Sequence, residues 1–212
     1  MGGQLQINSA KLAALQDSGR LGLEHYGVGV NGAVDMYAYL IGNILVGNSQ
    51  PMPSIEVTAF DFSMSTNVDI AICVTGAVAE LRIDSEPIGA WKTVKLPAGK
   101  TLHIKKSSQG LRVYIAVGGG IDVPLTMGSC SWDTVGKIGE RIYTGQSLRL
   151  INPEEFLKHI GRQAPLKHIP AYGSPWNIHV CPGPDMHIFK DHLEQFFTST
   201  YTVSPNSKHI GI

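Results

Sequence analysis

Short apolar segments recur along most of this chain at roughly 8–12-residue intervals, each bounded by turn-forming residues, and that spacing points to an all-β sandwich or barrel. The segments fall at 55–59, 68–74, 79–83, 93–96, 101–104, 111–117 and 147–151. Asp84-Ser85-Glu86-Pro87 and Pro97-Ala98-Gly99-Lys100 read as compact hairpin connections. The 24 glycines and 12 prolines supply turns in the number such an architecture needs.

Three segments follow a helical period instead. Residues 33–46 place Val34, Tyr37, Ala38, Ile41, Ile44 and Leu45 on one stripe, and Gly47-Asn48 supplies a stop signal. Residues 153–160 start from Asn152 as N-cap, with Pro153 at the first helical position and Glu154 and Glu155 in the first turn. Residues 186–198 carry Ile188, Phe189, Leu193, Phe196 and Phe197, with Asp185 as N-cap.

The organisation expected from these patterns is a β-rich domain over 1–160 and a linker over 161–174. The opening of a second, incomplete β-domain follows over 175–212. The linker is punctuated by Gly161, Pro165, Pro170 and Gly173, and 176–181 reads as the next strand.

Charge narrows the functional classes. Seventeen Lys and Arg balance seventeen Asp and Glu. A nucleic-acid binder carries a basic excess or stripe, and none is visible here. Polybasic membrane attachment is disfavoured on the same ground. No apolar run reaches the roughly 18–20 residues that span a bilayer. The first residues lack the basic and apolar regions of a signal peptide. Three widely spaced cysteines without a CxxC fit a reduced, cytoplasmic protein better than a disulfide scaffold. Cys73 and Cys181 sit in apolar runs and read as small core residues. Cys130 sits in a Gly-Ser-Cys-Ser loop and reads as exposed.

Several motifs carry less chemistry than their patterns suggest. Gly27-Val28-Gly29-Val30-Asn31-Gly32 matches GxGxxG, but no apolar strand precedes it and no βαβ unit follows. Its bland reading is a glycine-rich entry into the 33–46 helix. Gly118-Gly119-Gly120 has no lysine or hydroxyl to complete a phosphate cradle and reads as a tight strand exit. His187 and His192 are five apart and lie on different helical faces, so no metal site is expected. No biotin-carrying Met-Lys-Met is present, so no covalent biotin is expected. The dense polar run is Gln16-Asp17-Ser18-Gly19-Arg20. There Asp17 and Arg20 either bridge each other or leave Arg20 to fork an anion. Asp35 either caps the following helix or faces a site.

The run 15–22, then Gly27-Val28, Gly32-Ala33-Val34-Asp35 and 43–48, closely resembles the biotin-dependent carboxyltransferase / allophanate hydrolase subunit 2 family. That family includes the C subunits of 5-oxoprolinases. Ile55-Glu56-Val57, Thr75-Gly76-Ala77, 118–124, Gly128-Ser129 and Pro182-Gly183-Pro184 are similar to later family segments in the same order. The chain departs from the pattern where Cys130 replaces an arginine and Gln146 an aspartate. Lys208 and His209 likewise stand where the family has Asn-Arg. The family continues beyond the last residue, so the second β-domain is expected to be truncated.

The resemblance implies a mainly β, cyclophilin-like β-barrel architecture with a few short helices. It implies an ATP-dependent amide hydrolase that opens 5-oxoproline to glutamate, with ATP used by the complex. The implied partners are an allophanate hydrolase subunit 1-like protein and a third oxoprolinase subunit. Its alternatives are a non-catalytic regulatory subunit, or the carboxyltransferase part of a urea carboxylase-type system. Residue type and clustering make Arg20 and the backbone near Gly32 the candidates for stabilising an oxyanion. Asp17 and Asp35 are the candidates for acid–base or orienting groups. Gln16, Gly19, Gly32 and Asn48 are the candidate substrate- or anion-binding residues.

Overall fold

In the computed structural model the described residues are 2–173 and 175–203. The chain forms two compact units, Met1–Gly173 and Ser174–Ile212. The first unit is mainly β. Its strands in chain order are β1 (Gln4–Ala10), β2 (Ala13–Gln16), β3 (Ser54–Thr58), β4 (Phe62–Thr66), β5 (Ile70–Val78), β6 (Leu81–Ile83) and β7 (Glu86–Pro87). They continue with β8 (Thr93–Leu96), β9 (Thr101–Ile104), β10 (Gln109–Val117), β11 (Ile121–Asp122), β12 (Arg141–Ile142) and β13 (Ser147–Leu150). One antiparallel sheet runs β11-β13-β1-β4-β9-β6-β7, and the other runs β12-β2-β3-β10-β5-β8. The β-rich expectation with few helices therefore holds, and among the described residues neither sheet closes on itself.

Side-chain alternation explains the layering. Ile70, Ile72 and Val74 of β5 and Val113, Ile115 and Val117 of β10 point into a core shared with Leu5, Ile7, Met64 and Leu102 of the other sheet. The alternate positions Cys73, Tyr114 and Ala116 face the opposite way, against helix α1 (Met36–Val46). The second sheet is thus covered on both faces, which is why β5 reads as an unbroken apolar run.

The helix differs from the expected stripe. Its buried positions are Ala38, Tyr39, Gly42, Asn43, Leu45 and Val46. Val34, Tyr37 and Ile44 are exposed. Close packing decides the face: a Cβ at Gly42 would lie 3.2 Å from both Ala116 Cβ and Thr75 Oγ1. The stop signal is as read, with Gly47 at φ +88°.

Other expectations are corrected. Pro97-Ala98-Gly99-Lys100 is not a hairpin, since β8 and β9 belong to different sheets. It is a crossover, tied by Ala98 N–H to Asp69 and Gly99 N–H to the Thr66 carbonyl. Strands β1, β2 and β4 were not anticipated, because Gln, Ser and Ala dilute their alternation. Residues Pro153–His159 form a 3-10 helix, with Asn152 left-handed and making no capping bond. Cys130 is fully buried and Cys181 is exposed, the reverse of their sequence readings, while Cys73 is buried as expected.

Residues 161–173, expected as a linker, pack on the first unit. The Ala164 N–H donates to the Trp91 carbonyl, and the Tyr37 hydroxyl donates to the His168 carbonyl. In the second unit, 186–198 divides into Met186–Phe189, a 3-10 turn Lys190–His192 and Leu193–Thr198. Asp185 makes no side-chain cap. The expected strand at 176–181 is absent, because no described segment pairs with it. No described helix is long and apolar enough to cross a membrane.

Candidate functional site

Strand β2 ends at Gln16 and delivers Asp17 into a cradle of donors. The Asp17 carboxylate accepts from the Gly19 N–H at 2.8 Å, the Ser129 and Ser131 hydroxyls at 2.6 Å each, and the Cys130 N–H at 2.8 Å. Burial pushes the Asp17 pKa up, but these four bonds outweigh it and hold the carboxyl below its ordinary value. It stays ionised, and its oxygens are committed to the protein.

The turn from Asp17 to Arg20 docks against the 30–33 segment. The Arg20 N–H donates to the Val30 carbonyl at 2.7 Å, and the Ala33 N–H donates to the Asp17 carbonyl at 3.0 Å. A Cβ at Gly19 would lie 2.6 Å from the Val30 carbonyl oxygen, and one at Gly32 3.0 Å from the Gly19 nitrogen. Both glycines have positive φ. They are required because two backbones meet there.

Arg20 does not bridge Asp17. Its side chain is buried, with Nε donating to the Thr126 carbonyl at 3.0 Å and Nη2 to the Ser129 carbonyl at 3.2 Å. Nη1 is buried without a hydrogen-bond partner, as is Gln16 Oε1. Gln16 Nε2 donates to the Trp132 carbonyl at 3.3 Å. Arg20 therefore clamps the 126–129 loop and presents no fork to an external anion.

Asp35 lies apart from this cluster. It caps α1, accepting from the Ala38 N–H at 3.0 Å, and accepts from the Tyr172 hydroxyl at 2.7 Å. Asn48 is likewise committed. It donates to Asn43 Oδ1 and the Val117 carbonyl and accepts from the Gly119 N–H. Asn43 in turn holds Met52 through both its N–H and its carbonyl. The sequence candidates thus divide: Gln16, Asp17, Gly19, Arg20 and Gly32 come together, while Asp35 and Asn48 brace the two ends of α1.

Between the Asp17–Gly19 turn, the Gln50–Pro53 loop and the Ile121–Val123 edge lies an open cleft of about 360 Å³. Its polar wall includes Asp17, Ser18, Gln50 and Asp122, and its apolar wall includes Met52 and Leu125. Asn43 and Asn48 fix one side, and the Asp17 cradle fixes the other. The geometry suits a small, uncharged hydrogen-bonding group laid against an apolar surface.

Sequence reasoning missed three contributors. Ser129 and Ser131 were visible only as polar residues in a loop. Glu56 is buried in β3 and accepts from Arg112 Nε at 3.0 Å and the Tyr114 hydroxyl at 2.7 Å. Its signal was a lone carboxylate inside an apolar strand. The Tyr114 hydroxyl also accepts from the Asp35 N–H at 2.9 Å, linking this pair to the α1 N-terminus.

The glycine motifs serve packing. A Cβ at Gly118 would lie 2.5 Å from Phe156 Cβ, and one at Gly119 2.0 Å from the Ile151 carbonyl oxygen. Gly27 closes a 3-10 turn, Glu24–Tyr26, rather than following a strand. Neither forms a phosphate cradle. Among the described residues, no three His, Cys, Asp or Glu side chains gather where they could hold a metal ion. Lys208 and His209 lie outside the described residues.

The family model of the carboxyltransferase domain, subdomain A and B, matches residues 26–212. This chain belongs to that family. It is 32% identical over 216 residues to the C subunit of 5-oxoprolinase from Escherichia coli (strain K12), a match covering 97% of this chain and 66% of that protein. The 5-oxoprolinase C subunit of Haemophilus influenzae is 30% identical, with 94% and 64% covered. The chain thus spans about two thirds of the length of these relatives. Urea amidolyase of Saccharomyces cerevisiae is 33% identical over 213 residues, covering 94% of this chain and 12% of that protein. Among solved structures, the K. lactis urea amidolyase superposes with a TM-score of 0.87 at 27% identity, covering 97% of this chain and 13% of that one.

Proposed function

We propose that this carboxyltransferase-family chain is the substrate-positioning subunit of an ATP-dependent cytoplasmic amide hydrolase that opens 5-oxoproline to glutamate. The observation that carries the reading is the cleft, whose walls are fixed before any ligand arrives. The match to two 5-oxoprolinase C subunits along nearly the whole chain supports the choice of reaction. In that reaction a phosphoryl group passes from ATP to the lactam carbonyl oxygen, water attacks the carbonyl carbon, the C–N bond opens and phosphate leaves. ATP is assigned to no residue of this chain.

This chain contributes placement. The Asp17 cradle holds the 17–19 turn rigid, and Ser18 offers a hydroxyl to the lactam from the cleft wall. Met52 and Leu125 exclude water from the ring. Pre-paid orientation of this kind supplies several kcal/mol of a barrier. Asp17 and Arg20 act as positioning residues, because their polar atoms are bonded inward. The partners are an allophanate hydrolase subunit 1-like protein and a third oxoprolinase subunit.

The test is 5-oxoproline-dependent phosphate release by the two partner subunits with and without this chain. Release that requires the chain supports the reading. No release, with a homologous full complex active in parallel, overturns it. The superposition on urea amidolyase favours a second reading, carboxyl transfer from carboxybiotin, which predicts biotin-dependent carboxylation of urea in place of lactam opening.

A further inference from the structure

Strands β11 and β13 pair so that Ile121 stands opposite Leu150 and Asp122 opposite Arg149. Ile121 and Leu150 are buried in the core. Their neighbours Asp122 and Arg149 therefore stand together on the outer face. Asp122 lines the cleft, and Arg149 Nε donates to its Oδ2 at 2.6 Å while Nη2 reaches the same oxygen. The Arg149 side chain is 72% exposed, and its Nη1 has no hydrogen bond to the described residues. No lysine, arginine or histidine is among the residues that line the cleft. Among the described residues, Arg149 is the cation in hydrogen-bond contact with one of those side chains. Arg20 is turned away, towards the Thr126 and Ser129 carbonyls.

We propose that Arg149 anchors a ligand carboxylate at the mouth of the cleft. It thereby makes a carboxylate-bearing lactam a better ligand than the bare ring. A guanidinium has five donors, and the Asp122 carboxylate uses two of them. The rest are available to an anion without breaking the pair. Asp122 holds the guanidinium in place from the strand directly opposite. The choice of 5-oxoproline as the ligand rests on the amide-hydrolase reading.

The test titrates the full chain with 5-oxoproline and with 2-pyrrolidinone, the same ring without its carboxylate. The wild type is expected to favour 5-oxoproline about fivefold, the scale of one exposed ion pair. Arg149→Gln is expected to erase that preference and leave 2-pyrrolidinone binding unchanged, and Arg149→Lys to keep part of it. Asp122→Asn, which removes the neighbouring negative charge, is expected to tighten 5-oxoproline binding. A preference that survives Arg149→Gln, an equal loss for both ligands, or no binding of either overturns the proposal. Phosphate release by the complex reports separately on the reaction. A carboxylate preference abolished by Arg149→Gln, in a chain whose complex releases no phosphate, overturns the amide-hydrolase reading and leaves the anchor standing.

Discussion

Asp17 and Ser131, far apart in the chain, are joined by two hydrogen bonds. The Ser131 hydroxyl donates to Asp17 Oδ1 at 2.6 Å while accepting from the Asp17 backbone N–H at 2.9 Å. One hydroxyl thereby fixes both the side chain and the main chain of the turn that borders the cleft. Altering the Asp17 side chain disturbs this pair together with Gly19, Ser129 and Cys130.

Asp17→Asn keeps the shape but replaces an acceptor by a donor facing donors. It is expected to cost about 2–3 kcal/mol of stability, read as a lower denaturant midpoint with an unchanged slope. The pH dependence has a definite sign. The folded carboxyl titrates below its ordinary 3.8, so its stabilisation is present above that value. It is lost as pH falls through the lower folded value. Denaturant midpoints measured from pH 6 to pH 2 should fall more steeply in wild type than in Asp17→Asn. Parallel curves would remove Asp17 from the acid response.

Arg20→Lys retains the charge and loses the fork. One of the Thr126 and Ser129 carbonyls is left without its donor, so a loss of about 2 kcal/mol is expected. A melting temperature equal to wild type would show that the 126–129 loop stands without the clamp.

Glycine geometry gives a paired comparison. Gly22 has φ +83° with open space around its missing Cβ, whereas Gly19 has φ +90° with the Val30 carbonyl 2.6 Å away. Gly22→Ala is expected to cost about 1 kcal/mol from backbone strain alone. Gly19→Ala is expected to cost about 3 kcal/mol or more, since the two segments must part. Equal losses in chemical denaturation would refute the close approach.

Asp35→Asn tests whether this carboxylate moves protons. Asparagine caps a helix about as well as aspartate, and its amide N–H can donate to the Tyr172 hydroxyl, which turns to accept. Stability within about 1 kcal/mol of wild type and near-normal turnover of the complex are expected. A hundredfold fall in turnover with the fold intact would assign Asp35 a chemical role.

The thiols should separate cleanly. Burial pushes the Cys73 thiol up to about 12. Burial, with the Asp17 carboxylate beside it, pushes Cys130 up as well. Under native conditions a disulfide reagent should modify Cys181 quickly and leave Cys73 and Cys130 until unfolding. Rapid labelling of Cys130 would mean that the Asp17 cradle opens in solution.

What could be read from the sequence was local. Gly47 as the end of α1, Asp35 among its possible caps and the strand Thr93–Leu96 follow from neighbouring residues. The inner face of α1 did not, because Gly42 and Asn43 are there for close approach and hydrogen bonding, which an apolar stripe cannot register. The polar run at 16–20 was visible as a cluster. Its partners Ser129, Cys130 and Ser131 come from a distant loop, so the cradle was not. For the same reason the sequence leaves Arg20 between a bridge to Asp17 and an external anion, whereas the Thr126 and Ser129 carbonyls hold it.

The order of strands also bears on how the chain is born. Strand β1 pairs with β4 on one side and with β13 on the other. At ordinary synthesis rates, residue 147 leaves the ribosome on the order of ten seconds after residue 10. During that interval the outer edge of β1 has no native partner, and most successive strands alternate between sheets. The first sheet is therefore complete only once β13 has been made, and until then the outer edge of β1 is open to pairing with another chain.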